Sequence, residues 1–315
     1  MSRRFSRGFL TLALGIAGFL VAQGAALAEA TKIRIGYPSG MNGQVPVVLQ
    51  KAGLATKHNL AAEFTAFQFG PPMMEGLASG QLDVVVSSFV PPFNLAVKSP
   101  GSIKFVASLG QSSHSLLVPK DSQAKSIEDL KGKKIGLSVN TESHLDLLLL
   151  LKEKGIDKEA FEYINLQPGE LPGAFETGQV DAVLIRQPQT QRLETKLGAK
   201  RVQTWPFNFT ALVRSEYLAK HPEAVKSFVE ALKDAIFHIA TEPDESATWF
   251  AEAQRLDPSV VKSVAGENPL FGVKSRDEIN ISIDDNFKKL LSDKLEAGIR
   301  LGFVKGKLDP ASVLP

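Results

Sequence analysis

Apolar residues along this chain fall into two alternating textures: short β-branched runs closed by a turn, and longer stretches in which they return with the 3.6-residue period of a helix. Ile33-Arg34-Ile35-Gly36 predicts a strand ending on glycine, and Lys134-Ile135-Gly136-Leu137 repeats it 100 residues later, glycine to glycine. Farther along, Gly80-Gln81-Leu82-Asp83-Val84-Val85 is echoed 98 residues later by Gly178-Gln179-Val180-Asp181-Ala182-Val183. In each copy the glycine ends a helix, the aspartate follows at the turn, and the apolar run makes a buried strand. One Gly-Gln-x-Asp would be ordinary turn chemistry. Two at nearly the same offset predict paired α/β lobes, each with a mainly parallel sheet flanked by helices.

Further strands are predicted near Phe64 and at Phe105-Val106-Ala107, and the chain leaves the first lobe by Leu116-Leu117-Val118-Pro119. A polar stretch over 120–125 then introduces the second lobe. Beyond Val213 the texture turns helical, with Pro222 at a helix start and Val225, Phe228, Val229, Leu232 and Ile236 in helical period. That tail lacks a strand-rich core of its own and is expected to pack on the first lobe. The expected division is 29–117 with 214–315 as lobe 1 and 118–213 as lobe 2, with two hinge crossings near 118–121 and 213–217.

At the amino terminus Arg3, Arg4 and Arg7 precede an apolar run over 9–22, and Ala26-Leu27-Ala28 supplies the small residues that a signal peptidase needs. The run is shorter than the ~20 residues of a membrane-spanning helix. Residues 1–28 therefore read as a signal peptide cleaved near Ala28, and the mature chain as periplasmic. The Arg3-Arg4 pair leaves both the Sec and the twin-arginine routes open. Without those three arginines, 33 basic face 34 acidic side chains, so nothing resembles the basic footprint of a nucleic-acid binder. The absence of cysteine removes thiol nucleophiles, disulfides and cysteine-bound metals or lipids. The five histidines form no close pair, and no His-Glu-x-x-His, Gly-x-Ser-x-Gly or phosphate-binding loop occurs. The expectation is a monomer without catalytic activity, metal or cofactor.

Phe69-Gly70-Pro71-Pro72-Met73-Met74-Glu75-Gly76-Leu77 with its Gly-Gln-x-Asp turn, Ser88-Phe89-Val90-Pro91-Pro92, Ser126-Ile127-Glu128-Asp129-Leu130-Lys131-Gly132-Lys133 and Tyr217-Leu218-Ala219-Lys220-His221-Pro222-Glu223-Ala224 carry a family likeness. Through them the chain resembles the periplasmic solute-binding proteins of importers for alkanesulfonates, taurine and nitrate, a family related to pyrimidine-precursor binding proteins. The resemblance covers nearly the whole mature chain. It implies a two-lobed, type II-like periplasmic binding protein fold whose lobes close on a solute, with an ABC importer permease and its ATPase as partners. The expected function is capture of a small anion such as an aliphatic sulfonate, taurine or nitrate. A pyrimidine-like or amine-containing solute, a non-importer ligand sensor and an enzyme are the alternatives.

Ligands of open parallel sheets collect beyond the carboxyl ends of strands. That rule selects Ser39, Gly40 and Met41, then Phe69 and Gly70, then Ser87, Ser88 and Phe89 in the first lobe. In the second it selects Thr141, Glu142, Ser143 and His144, then Arg186 and Gln187, then Asn208. Ser39-Gly40 and Gly70-Pro71 can offer bare backbone N–H groups to an anion or serve as plain turns. Ser87 and Ser88 point to opposite faces, so one is expected to face the cleft. The resemblance places small hydroxyl residues at the helix start of Thr141, where Glu142 departs from the pattern. Its carboxylate suits an amine if it faces the cleft and would repel a sulfonate; facing water it is a first-turn acid, the reading preferred here. Arg186 can grip a carboxylate or sulfonate through a bidentate pair or sit at the surface beside an acid. Among the aromatics Phe69 and Phe89 are assigned to the cleft, and Phe67, Phe93, Trp205, Phe207 and Phe209 to the core.

Overall fold

The computed structural model describes residues 29–315. The expected signal peptide, 1–28, lies outside the described residues, among which no helix is long and apolar enough to cross a membrane. The described residues form eight strands: β1 (Thr31–Pro38), β2 (Leu60–Phe67), β3 (Val84–Ser87), β4 (Ile103–Val118), β5 (Lys134–Leu137), β6 (Glu162–Asn165), β7 (Ala182–Arg186) and β8 (Lys200–Arg214). They form one sheet in the order β2-β1-β3-β8-β4-β7-β5-β6. β1 pairs in parallel with β2 and β3, and β5 likewise with β6 and β7. The α/β topology repeats in two halves.

The twin motifs have a common physical cause. Asp83 Oδ2 accepts the backbone N–H of Arg34 at 3.0 Å while its own N–H donates to Arg34 O at 2.9 Å. Asp181 makes the same two bonds with Lys134, at 2.8 and 2.9 Å. Each aspartate thus pins its strand to the first strand of its half. The glycines complete the arrangement: a Cβ on Gly36 would lie 2.7 Å from Leu82 Cδ1, and one on Gly136 would lie 3.2 Å from Val180 Cγ1. The residue between Gln and Asp packs where that side chain would stand.

β4 and β8 belong to both halves. They pair antiparallel with each other; β8 meets β3 through 210–213, and β4 meets β7 through 114–117. The changeover falls at the register break between Ser108 and Gln111, beside Asn208 and Thr210. Strand pairing therefore passes from one half to the other inside the two long strands, whereas the crossings were expected near 118–121 and 213–217. Polar Gln111-Ser112-Ser113-His114-Ser115 interrupts the apolar pattern, yet ladder bonds satisfy its backbone.

Among the described residues twelve α-helices follow in chain order: α1 (Gln44–Lys51), α2 (Leu54–Lys57), α3 (Gly70–Ala78), α4 (Val90–Lys98), α5 (Glu142–Glu153), α6 (Leu171–Glu176), α7 (Gln189–Leu197), α8 (Ser215–Lys220), α9 (Pro222–Thr241), α10 (Pro243–Gln254), α11 (Pro258–Ala265) and α12 (Asp285–Arg300). In the first half one core joins α1, α9, α10 and α11 to one sheet face, and a second joins α3, α4 and α12 to the other. The second half is covered by α5 on one face and by α6 and α7 on the other. Each half thus buries both sheet faces, which is what continuous apolar parallel strands require.

Candidate functional site

Residues just beyond β1, β2, β5 and β7 converge on a cavity of about 570 Å³ between the halves. Ser39, Gly40 and Gln68 come from the first half; Ser138, Thr141, Ser143, Arg186 and Gln187 come from the second. Ser39 is oriented by donating its hydroxyl to Gln68 O at 2.9 Å. Thr141 caps α5, its Oγ1 donating to Ser138 O at 2.8 Å and accepting from His144 N at 3.5 Å. The start of α5 therefore opens on the cavity with its dipole positive end foremost.

Arg186 ends β7 and projects between the halves. Its guanidinium carbon lies 3.6 Å from where a side chain on Gly40 would begin and 5.1 Å over the Phe207 ring. The arginine thus lies against the backbone of the other half at ordinary van der Waals distance. Among the described residues Arg186 makes no ion pair and no side-chain hydrogen bond. Burial lowers its pKa to about 10, opposed by Glu142, so it remains a cation at neutral pH.

Deeper in, Phe69, Gly70, Ser87, Ser88, Glu142 and Arg186 line a niche of about 10 Å³, the volume of one water. Glu142 faces this niche and neither the larger cavity nor solvent. It is fully buried, and its Oε2 accepts the N–H of Phe89 across the joint at 3.1 Å. Lys294 of α12 lies 3.5 Å from Glu142 Oε1 and binds Asp146 Oδ1. Asp146 Oδ2 in turn lies 3.4 Å from Nε2 of the buried His114. Burial raises the pKa of Glu142, against Lys294 and the Phe89 N–H. Burial likewise raises Asp146, to about 7, with Lys294 opposing and Glu142 adding to the rise. His114 is held well below the ordinary histidine value by burial, reinforced by Lys294 and Arg186. On the other side of the cleft Gln187 Nε2 and Ser113 Oγ both donate to Glu267, at 3.1 and 3.2 Å. Carboxylates thus tie the halves together on both flanks.

Four of the residues selected from sequence lie elsewhere. Met41 is buried in the core under α1 and α9, because the chain turns into a short 3-10 helix after Gly40. Phe89 contributes only its backbone, its ring stacking among Phe93, Phe105 and Phe287. His144 packs its ring on Phe303 at 5.1 Å, and burial lowers its pKa to about 4. Asn208 sits at the strand crossing opposite Gln111. Glu142 overturns the water-facing reading, because the first turn of α5 abuts the first half.

Sequence reasoning missed Gln68, Gly169, Gln189, Arg192, Gln254 and Arg255 at the cavity, and Lys294 beneath it. Gln68 follows β2 directly, so the strand-end rule would have found it. Asp146 stands four residues after Glu142 on one helix face. Nothing local marks Arg255 or Lys294, which reach the joint only through the packing of the tail.

The chain is 28% identical over 317 residues to a putative binding protein of Brucella abortus, covering 96% of this chain and 95% of that one. It is 28% identical over 268 residues to a putative aliphatic sulfonates-binding protein of Bacillus subtilis, covering 82% and 77%. Its fold is that of the alkanesulfonate-binding protein SsuA from Xanthomonas axonopodis pv. citri bound to MOPS. The two align with a TM-score of 0.77 at 20% identity, over 91% of this chain and 99% of that one. Residues 72–246, more than half of the chain, match the family described as NMT1/THI5 like, and the chain belongs to that family.

Proposed function

We propose that this chain is the solute-capturing component of an ABC importer and holds an organic anion of the sulfonate class between two lobes that hinge at the middle of β4 and β8. The lobes are 29–109 with 209–315, and 111–208. The observation that carries the reading is Arg186, a cation without an ion pair among the described residues, at a cavity whose lining contains no aspartate or glutamate. A half-buried guanidinium left unpaired between the halves is costly unless a ligand completes it. The open start of α5 and the hydroxyl of Ser143 add donors suited to the same anion, while Ser39 and Thr141 already donate theirs to Gln68 and Ser138. The volume favours a molecule larger than nitrate. An amine finds no carboxylate in the cavity, since Glu142 is already engaged by Phe89 and Lys294.

Binding without covalent chemistry, a periplasmic location after signal-peptide removal, and a monomer that docks on a permease with its ATPase belong to this reading. The names of the sulfonate-binding relatives support it. Calorimetric titration with alkanesulfonates, taurine, carboxylates, alkylamines and pyrimidines tests it. Sulfonates are expected to bind and amines to give no heat; binding of a pyrimidine or amine with no anion bound would reverse the assignment.

A further inference from the structure

We infer that the ligand carries a second anionic group, at its outer end, received between Arg192 of α7 and Arg255 at the end of α10; this rests on the anion-capturing reading above. The cavity is lined by three arginines, Arg186, Arg192 and Arg255, with glutamines 68, 187, 189 and 254 between them and no acid. One buried sulfonate satisfies one guanidinium. The other two line the same acid-free chamber from opposite halves, Arg192 with a 3.4 Å contact to Glu176 behind it and Arg255 with no ion pair among the described residues.

Their positions fit a terminal group. Arg186 is the inner cation, shared with the niche behind it. Arg192 has its side chain 38% exposed, and Arg255 is exposed. Arg192 belongs to the second half and Arg255 to the first, so a group held by both bridges the joint as Arg186 and Gly40 do at the inner end. Arg192 is held in place by donating to Gln189 Oε1 at 3.1 Å and, more weakly, to Glu176 at 3.4 Å. Arg255 makes no ion pair among the described residues.

Arg255 also occupies a backbone position that favours glycine. It caps α10 in the left-handed region, with φ 55° and ψ 49°. Glycine takes that conformation without the crowding of a Cβ, and helices commonly end on it. An arginine there stores local strain next to a cavity, a pattern that accompanies ligand contacts. The cavity volume accommodates a molecule of several carbons with a charge at each end.

The test compares butanesulfonate with butanedisulfonate bearing its second sulfonate on the far carbon, by calorimetry on the mature chain and on the Arg192→Gln and Arg255→Gly variants. The disulfonate is expected to bind at least tenfold more tightly than the monosulfonate, with a steeper loss of affinity as salt is raised. In either variant that preference should fall towards unity. Arg255→Gly relieves the strained cap, so a thermal midpoint at or above that of the parent shows that lost preference is not lost folding. Equal affinities for the two sulfonates, or a preference untouched in both variants, overturns the second anionic group while leaving anion capture standing. Silence towards both sulfonates, with an amine or pyrimidine bound instead, removes the anion-capture reading and this inference with it.

Discussion

Replacing Arg186 by methionine should make the ligand-free protein more stable and the ligand-bound protein weaker. Lowering of the arginine pKa to about 10 implies a cost of keeping it charged of about 3 kcal/mol, at roughly 1.4 kcal/mol per tenfold. Cation–π contact with Phe207 at 5.1 Å returns about 1 kcal/mol. Methionine keeps an unbranched apolar stem of similar reach, so the variant should gain about 2 kcal/mol, or roughly 4 °C in Tm. The sign is set by a cation whose folded pKa is depressed. Its cost is constant at every pH below about 10 and eases only above it, so the gain should be level between about pH 5 and pH 9. Truncating one partner of a buried charge pair costs about 2–5 kcal/mol, so a bound sulfonate should weaken by roughly 30-fold to several thousand-fold. Thermal melts with and without ligand read both effects. A variant that melts lower when empty, or that keeps the parent's ligand-induced shift, would refute the argument.

Asp146→Asn isolates the buried acid at the joint. The folded state keeps a proton that the unfolded chain releases, so Asp146 lowers stability as pH rises from about 4 to about 7, and no further above that. His114, neutral when folded, acts in the opposite sense as pH falls below the ordinary histidine range. Melts of variant and parent across this interval should therefore diverge in favour of the variant towards pH 7; a pH-independent difference would contradict the assignment. Gly110→Ala meets two obstacles, a φ of 80° and a Cβ only 2.1 Å from Asn268 Oδ1, and should lose more than about 2 kcal/mol in urea. An unchanged midpoint would show the strand crossing to be yielding. Asp83→Asn and Asp181→Asn delete the same motif residue, yet buried Asp83 also holds Arg34 and Arg214 whereas Asp181 is exposed. Urea unfolding should show a loss of about 3 kcal/mol or more for the first and about 1 kcal/mol or less for the second; equal losses would contradict this account of the repeat.

The duplicated glycine and aspartate positions were legible because they answer a local requirement, one strand's edge bonded to the next. The helical period through Val225, Phe228, Leu232 and Ile236 was legible for a similar reason, since all four are buried on α9. The strand-end rule selected Ser39, Thr141 and Arg186, which are brought to one cavity from β1, the start of α5 and β7. The expected crossings followed the polar stretch 120–125 and the change of texture after Val213, whereas strand pairing changes halves inside β4 and β8, where no loop marks it. Phe89 misled because its N–H faces the joint while its ring turns into the core. The chemistry of Glu142 depends on Lys294, and no short-range pattern relates residues so far apart in sequence.

That last dependence orders how the chain can assemble. Lys294 meets Asp146 across 148 positions, so as the polypeptide is delivered from its amino end, α5 is complete while its counter-cation is still to come. Until the closing helix arrives, two acids on α5 oppose each other and favour water over the seam. In the finished fold, the final stretch of chain acts as the pin that sets the joint.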